Sequence, residues 1–284
     1  MTECPPKLYK YVGSIDAVAN LVAGKVKFTP VADLNDPFEL NSFVDADAIA
    51  RSLQTLRNEG CQQIHIDGLG NQQRLLRRLA PEYNHWPDGF VESVTPELLN
   101  LAYRMPAYDL TDALIAFFEN VARKIRAEVG VLSLAANLDI VPMWGNYADK
   151  GKGFVVEFTG LDQVFDETDT GVLNCVKPVR YVDPFEGMTF DPRTTDRLFY
   201  DKKRPWAYEC EWRVIRPLSD CYRAPSEGSL LLADIPPEHV TGIICGYNTP
   251  PEAVRTAQAL GRAGNCAVGK AVLERASLRV EDLK

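Results

Sequence analysis

Lys202-Lys203-Arg204-Pro205-Trp206-Ala207-Tyr208-Glu209-Cys210-Glu211-Trp212-Arg213 is the most informative stretch of the chain. From Cys210 to Arg216 it reads as a β-strand, because apolar and charged residues alternate with the period of two that a pleated backbone imposes. Alternation puts Glu209, Glu211 and Arg213 on one face and Cys210, Trp212 and Val214 on the other. Two carboxylates side by side repel, so one of them should have a raised pKa unless cations answer both. Arg213 is placed to hold Glu211, and Lys203 can approach from the preceding loop. The plainer alternative is a solvated strand face with a surface ion pair of little energetic weight.

Outward from this strand, Gly130–Leu134, Gly153–Phe158, Leu173–Val182, Ser229–Ala233 and Gly242–Cys245 also read as strands, and Val272–Val280 as a final one. Pro250-Pro251 opens a helix from about Glu252 to Ala263. At the other end, Leu8–Val12 is a lead-in strand. Ser14 can cap a helix from Ile15 to about Ala23, Gly24 stops it, and Val26–Thr29 follows as a short strand. Between about Asp45 and Glu128 the spacing is helical, most clearly along Leu110–Glu128 with Leu114, Phe117, Phe118, Val121 and Ile125 on one stripe. Strands before and after a helical block argue an α+β fold with a mixed or antiparallel sheet. With no Pro/Gly/Ser-rich linker around that block, a single domain over residues 1–284 with a helical insertion at about 45–128 is expected.

Bulk properties narrow the function. The 284 residues carry 31 Lys and Arg against 39 Asp and Glu, a formal net charge of −8. That balance disfavours nucleic acid as a partner, since phosphate binding draws on clustered cations. Seven Cys without a CxxC pair and three His without metal-ligand spacing argue against a zinc site and suit reduced core thiols. No window approaches ~18 apolar residues, so no membrane span is expected. The N-terminus has no secretory pattern, and a cytoplasmic location is expected. Oligomeric state has no signature in this sequence.

Two more polar clusters stand out. Asn35-Asp36-Pro37-Phe38-Glu39 places three polar side chains on a Pro-pinned loop, or alternatively forms an Asx-turn leading into a helix. Met143-Trp144-Gly145-Asn146-Tyr147-Ala148 puts Trp144 and Tyr147 on one helical face, able to stack a planar ring or simply to pack in the core.

Together these residues resemble a bacterial family, domain of unknown function 2971. The resemblance rests on Leu8-Tyr9-Lys10-Tyr11, Asn35 to Glu39, Ser133, Met143 to Ala148 with Gly153, the 202–213 stretch, and Ile243-Ile244-Cys245-Gly246. It runs in order through nearly the whole chain. A more distant likeness is to ADP-ribosyltransferases, whose Glu-x-Glu strand is similar to Glu209-x-Glu211. It implies a split sheet, NAD as substrate rather than cofactor, and transfer or hydrolysis at the nicotinamide–ribose bond. On that plan Glu211 holds the ribose and Glu209 orients or activates the acceptor. Arg213 tunes both, Trp144 or Tyr147 stacks the ring, and Tyr11 or Lys10 holds phosphate or ribose, with Ser133 on the central strand. Two other classes remain open. One is a metal-dependent nuclease or phosphoesterase, with Asp36, Glu39, Glu209 and Glu211 around Mg²⁺ and Lys203 on a phosphate. The other is a non-catalytic ligand-binding or sensor module, in the bacterial stress or phage-response setting that the family resemblance suggests.

Overall fold

Alternating apolar residues build the strands; the inner strands of the main sheet, Val129–Ala135, Phe154–Thr159 and Glu211–Pro217, are buried on both sides, and the edge strand Ser277–Asp282 is exposed. The computed structural model describes residues 3–36, 123, 126–166, 172–183, 196–223, 230–275 and 277–283. The expected helical insertion lies outside the described residues except at its end, where Arg123 and residues 126–128 are helical. Pro37, Phe38 and Glu39 also lie outside them.

The strands are β1 (Lys7–Val12), β2 (Lys25–Lys27), β3 (Thr29–Pro30), β4 (Val129–Ala135), β5 (Phe154–Thr159), β6 (Lys177–Pro178) and β7 (Arg180–Val182). They continue with β8 (Asp201–Lys203), β9 (Glu211–Pro217), β10 (Tyr222–Arg223), β11 (Leu231–Asp234), β12 (Val240–Cys245), β13 (Ala267–Glu274) and β14 (Ser277–Asp282). Among the described residues the main sheet runs β14-β13-β12-β5-β1-β4-β9-β6, with β3 added on β4. Its pairings are antiparallel except β12 with β13. A parallel pair needs a long crossover, and the helix Pro251–Gly264 supplies it. The fold is α+β with a mixed sheet.

One face of the sheet is the larger core. Leu8, Leu132, Leu134, Val156, Phe158, Trp212, Val214 and Ile243 meet Val18, Leu21 and Val22 of the helix Ile15–Val22 and Ala257 of the helix Pro251–Gly264. Ser14 starts the first helix as expected, its Oγ accepting from the Ala17 N–H at 3.2 Å. Gly24 ends it at a φ of +76°, where a Cβ would stand 2.3 Å from the Ile235 carbonyl oxygen. The other face carries two smaller apolar clusters. Tyr11, Ala135, Met143, Trp144, Val155 and Ile244 form one, and Val129, Val131, Phe199, Tyr200 and Ile215 the other.

Two expected strands are revised. Leu173–Val182 is broken into a single bridge at Leu173 and the short β6 and β7. Asn174 has a φ of 48°, and Pro178 has no N–H for a ladder. Val272–Val280 is two strands of a hairpin, with Arg275 at a φ of 51° between Glu274 and its partner Ser277. The turn carries no Gly, Pro or Asn, so composition alone does not mark it.

β1 and β4 share one register pair, Tyr9 opposite Ala135, whereas β1 and β5 pair over six positions. The sheet is thus only loosely closed between β1 and β4, and residues of both strands at that seam line a cleft.

Candidate functional site

Arg213 and Glu211 project from β9 on the same face as Ile215, between the two smaller apolar clusters. Glu211 stands opposite Ala135 and Arg213 opposite Ser133. Their exposures are 5% and 0%, so the pair is buried and is not a surface ion pair. Arg213 grips Glu211 with two donors, Nε to Oε1 at 2.7 Å and Nη2 to Oε2 at 2.8 Å. This fork-to-fork geometry is the strong form of an arginine–carboxylate contact. The third arginine nitrogen, Nη1, donates to the Phe199 carbonyl at 3.0 Å, which ties the helical turn Arg197–Tyr200 over the pair.

Glu209 arrives differently from the expected strand alternation. It ends a 3-10 turn, Arg204–Glu209, and Cys210 follows in the left-handed region at a φ of 45°. The kink still leaves Glu209 beside Glu211, because Lys202 joins them. The Lys202 ammonium donates to Glu209 Oε2 at 2.5 Å and to Glu211 Oε2 at 2.9 Å. Lys202 and Glu209 are both buried, and the Trp206 ring lies 5.0 Å from the ammonium. On the outer side of Glu209, Oε1 accepts from the Tyr147 hydroxyl at 2.5 Å, and that hydroxyl accepts from Asn35 Nδ2 at 2.6 Å. One continuous network therefore runs from Asn35 through Tyr147, Glu209, Lys202 and Glu211 to Arg213.

Tyr147 is positioned by the residue three before it. Trp144 is fully buried, its Nε1 donates to the Leu138 carbonyl at 2.9 Å, and its ring meets Tyr11 edge-on at 5.4 Å. The Tyr11 hydroxyl lies 3.1 Å from both the Asn137 and Leu138 carbonyls. These contacts seat the helix Val141–Tyr147 on β1 and leave its last residue at the cleft.

Burial and charge set the protonation states. Burial raises the Glu211 pKa; Lys202 and a Ser133 hydroxyl hydrogen bond pull it down, and Glu209 pushes it up. Burial works against the Lys202 ammonium, but Glu211 and Glu209 outweigh it and raise its pKa. Burial, then Glu209, raises the Tyr147 phenol, which stays a neutral donor. Lys10 is moved the other way, to about 8, chiefly by burial.

These groups border a cleft of ≈ 220 Å³, below the ~300 Å³ at which sites for drug-sized ligands begin. Tyr9, Lys10, Tyr11, Ser133, Asn35, Tyr147, Lys202, Glu209 and Glu211 line it, along with Thr29, Asp33 and Met143. Most of the site residues expected from sequence thus meet in one place. Four of the described ones do not line it: Asp36 is buried outside the lining, Trp144 lies in the core behind, Arg213 backs Glu211, and Lys203 is replaced by its neighbour Lys202. Asp36 is buried and close enough to Arg213 to favour its charge. Glu39 lies outside the described residues. Sequence reasoning missed Lys202, Tyr9 and Tyr181, whose hydroxyl accepts from the Glu211 N–H at 2.8 Å. Tyr181 and Lys202 are register partners in β7 and β8, a pairing that no local pattern announces.

Residues 143–214 match the family described as Protein of unknown function (DUF2971). The match begins at Met143 and ends one residue past Arg213, so the matched segment contains Trp144, Tyr147, Lys202, Glu209, Glu211 and Arg213 together. The matched segment thus supplies the network from Tyr147 to Arg213, while β1 and Asn35 complete the cleft from outside it. No curated protein and no solved structure matches the chain.

The described carboxylates are ill suited to a divalent cation. Among the described residues no group of three His, Cys, Asp or Glu side chains could hold one. The facing oxygens of Glu209 and Glu211 already share an ammonium, and the guanidinium takes the rest of Glu211. A further positive charge there would meet both cations at close range.

Proposed function

We propose that the cleft binds the ribosyl end of a nucleotide such as NAD, as a transferase or glycohydrolase of ADP-ribosyltransferase-like type. The observation that carries this is the Tyr147–Glu209 hydrogen bond at the cleft wall. Cleavage of a nicotinamide–ribose bond sends the bonding pair to neutral nicotinamide and leaves positive charge on the ribose. A fixed carboxylate beside that centre stabilises it. Glu209 takes this role better than Glu211, because its Oε1 meets the neutral Tyr147 hydroxyl at the cleft wall, whereas the cations Arg213 and Lys202 hold both oxygens of Glu211. Glu211 then acts as the anchor that holds Lys202, and Lys202 holds Glu209. The incoming water or acceptor adds to the ribose carbon and gives up its proton to Glu209, directly or through the Tyr147 hydroxyl. Lys10 faces phosphate or ribose oxygens. The cleft is small enough that only the ribosyl end of a dinucleotide lies within it.

The test is incubation of the pure protein with NAD, with nicotinamide followed by chromatography and NAD binding by calorimetry. Release of nicotinamide that is lost in Glu209→Gln supports the reading. Neither release nor binding removes it.

The close clamping of Glu211 also favours a second reading, a ligand-binding module without turnover. Binding of NAD with no nicotinamide release, unchanged in Glu209→Gln, would select it.

A further inference from the structure

The geometry points to Lys10 as a nucleophilic amine that captures a carbonyl-bearing ligand in the cleft as an imine. This goes beyond the nucleotide reading and does not require NAD. Lys10 lines the cleft from β1, beside the seam where β1 and β4 share a single register pair. Its ammonium donates to the Ser133 carbonyl at 2.8 Å, a neutral partner. Among the described residues no carboxylate forms an ion pair with it, in contrast to Lys7 on the same strand, which pairs with Glu157 at 3.0 Å. Lysine amines become nucleophiles when desolvation removes the proton near neutral pH.

The surrounding charges act in both directions. Glu211 on β9 favours the ammonium, Lys27 on β2 opposes it, and burial dominates, bringing the pKa to about 8. A neutral amine keeps an N–H for the Ser133 carbonyl and has its lone pair available for bonding. The amine adds to an aldehyde or ketone carbon. The resulting carbinolamine then loses its hydroxyl as water, giving the C=N bond with no change of oxidation state. Tyr147, a neutral phenol that borders the same cleft, can donate the proton that water carries away and recover one from the nitrogen.

The full chain is treated with limiting glycolaldehyde and sodium cyanoborohydride at pH 7.5, which reduces any imine to a stable secondary amine. Peptide mass mapping then compares Lys10 with Lys7 and Lys27. A pKa of about 8 against ~10.4 for an exposed lysine predicts labelling of Lys10 about tenfold or more above either neighbour. Lys10→Arg is expected to lose that adduct and keep the others. Equal labelling of the three, or labelling that spares Lys10, overturns the proposal, and the wild-type map alone decides it should the variant fail to fold.

Discussion

The Tyr147 hydroxyl donates to Glu209 Oε1 at 2.5 Å across 62 residues of sequence. This contact joins the helix Val141–Tyr147 to the turn before β9, and it is where the buried network reaches the cleft. Tyr147→Phe keeps the ring and removes the donor. Hydrogen bonds to charged groups are worth ~1.5–3 kcal/mol, and the lower end applies here because water in the cleft can replace the phenol. A loss of stability of about 1.5 kcal/mol in urea unfolding is expected, with ligand turnover or binding falling at least about tenfold. Unchanged binding and turnover would remove Tyr147 from the site.

Glu211 and Arg213 call for a harsher outcome. Glu211→Gln leaves a buried guanidinium without its carboxylate, and breaking one partner of a buried pair costs about 3–5 kcal/mol. Replacing both, as Glu211→Leu with Arg213→Met, removes the orphaned charge and should recover much of that loss. Lys202 limits the recovery, since Glu209 alone would then answer it. Chemical denaturation of the two variants measures the difference; a double variant less stable than Glu211→Gln would contradict the account.

The same residues show how far the sequence carries. Alternation placed Trp212 and Val214 in the core and Glu211 with Arg213 on the other face, and the structure agrees. It could not tell that the polar face is also covered, because the cover comes from the Arg197–Tyr200 turn and from the helix bearing Tyr147. Ser14, Gly24 and Pro251 marked helix ends through local chemistry, and they were legible for that reason. Choosing Lys202 over Lys203 depends on the register of β7 with β8, a long-range fact. Trp144 and Tyr147 share a helix, yet one anchors it and the other meets the cleft; spacing alone carries no such distinction.

Lys10 gives the protein a pH signature. Its folded pKa of about 8 lies below the ~10.4 of an unfolded lysine, so between these values the unfolded chain binds more protons. Stability from this group is therefore present at high pH and lost as pH falls through about 8. Cys4, Cys221 and Cys245 are raised to about 11 by burial and oppose this trend once unfolded thiols begin to ionise near 9. The useful window is thus pH 8 to 9, and the useful quantity is the difference between wild type and Lys10→Met. Urea midpoints should rise across ~pH 8–9 in the wild type relative to the variant. Parallel curves would mean that Lys10 has an ordinary pKa.

Asn35 separates recognition from stability. It is exposed at the cleft and donates to the Tyr147 hydroxyl at 2.6 Å, so it fixes the direction in which that hydroxyl offers its own proton to Glu209. Asn35→Ala leaves water free to take its place, and surface changes of this kind stay within about 0.5 kcal/mol in unfolding. The hydroxyl loses its orientation, however, and the cleft loses a polar group at its wall. Affinity for the cleft's ligand, measured by NAD calorimetry, should fall about tenfold, ~1.4 kcal/mol, with the unfolding midpoint unchanged. Asn35→Asp goes further, placing a carboxylate against a phenol already bonded to Glu209. Like charges then crowd one hydroxyl that has a single proton to give, and the loss should exceed that of Asn35→Ala. Equal losses in the two variants would show that Asn35 acts by filling space and not by directing the Tyr147 proton.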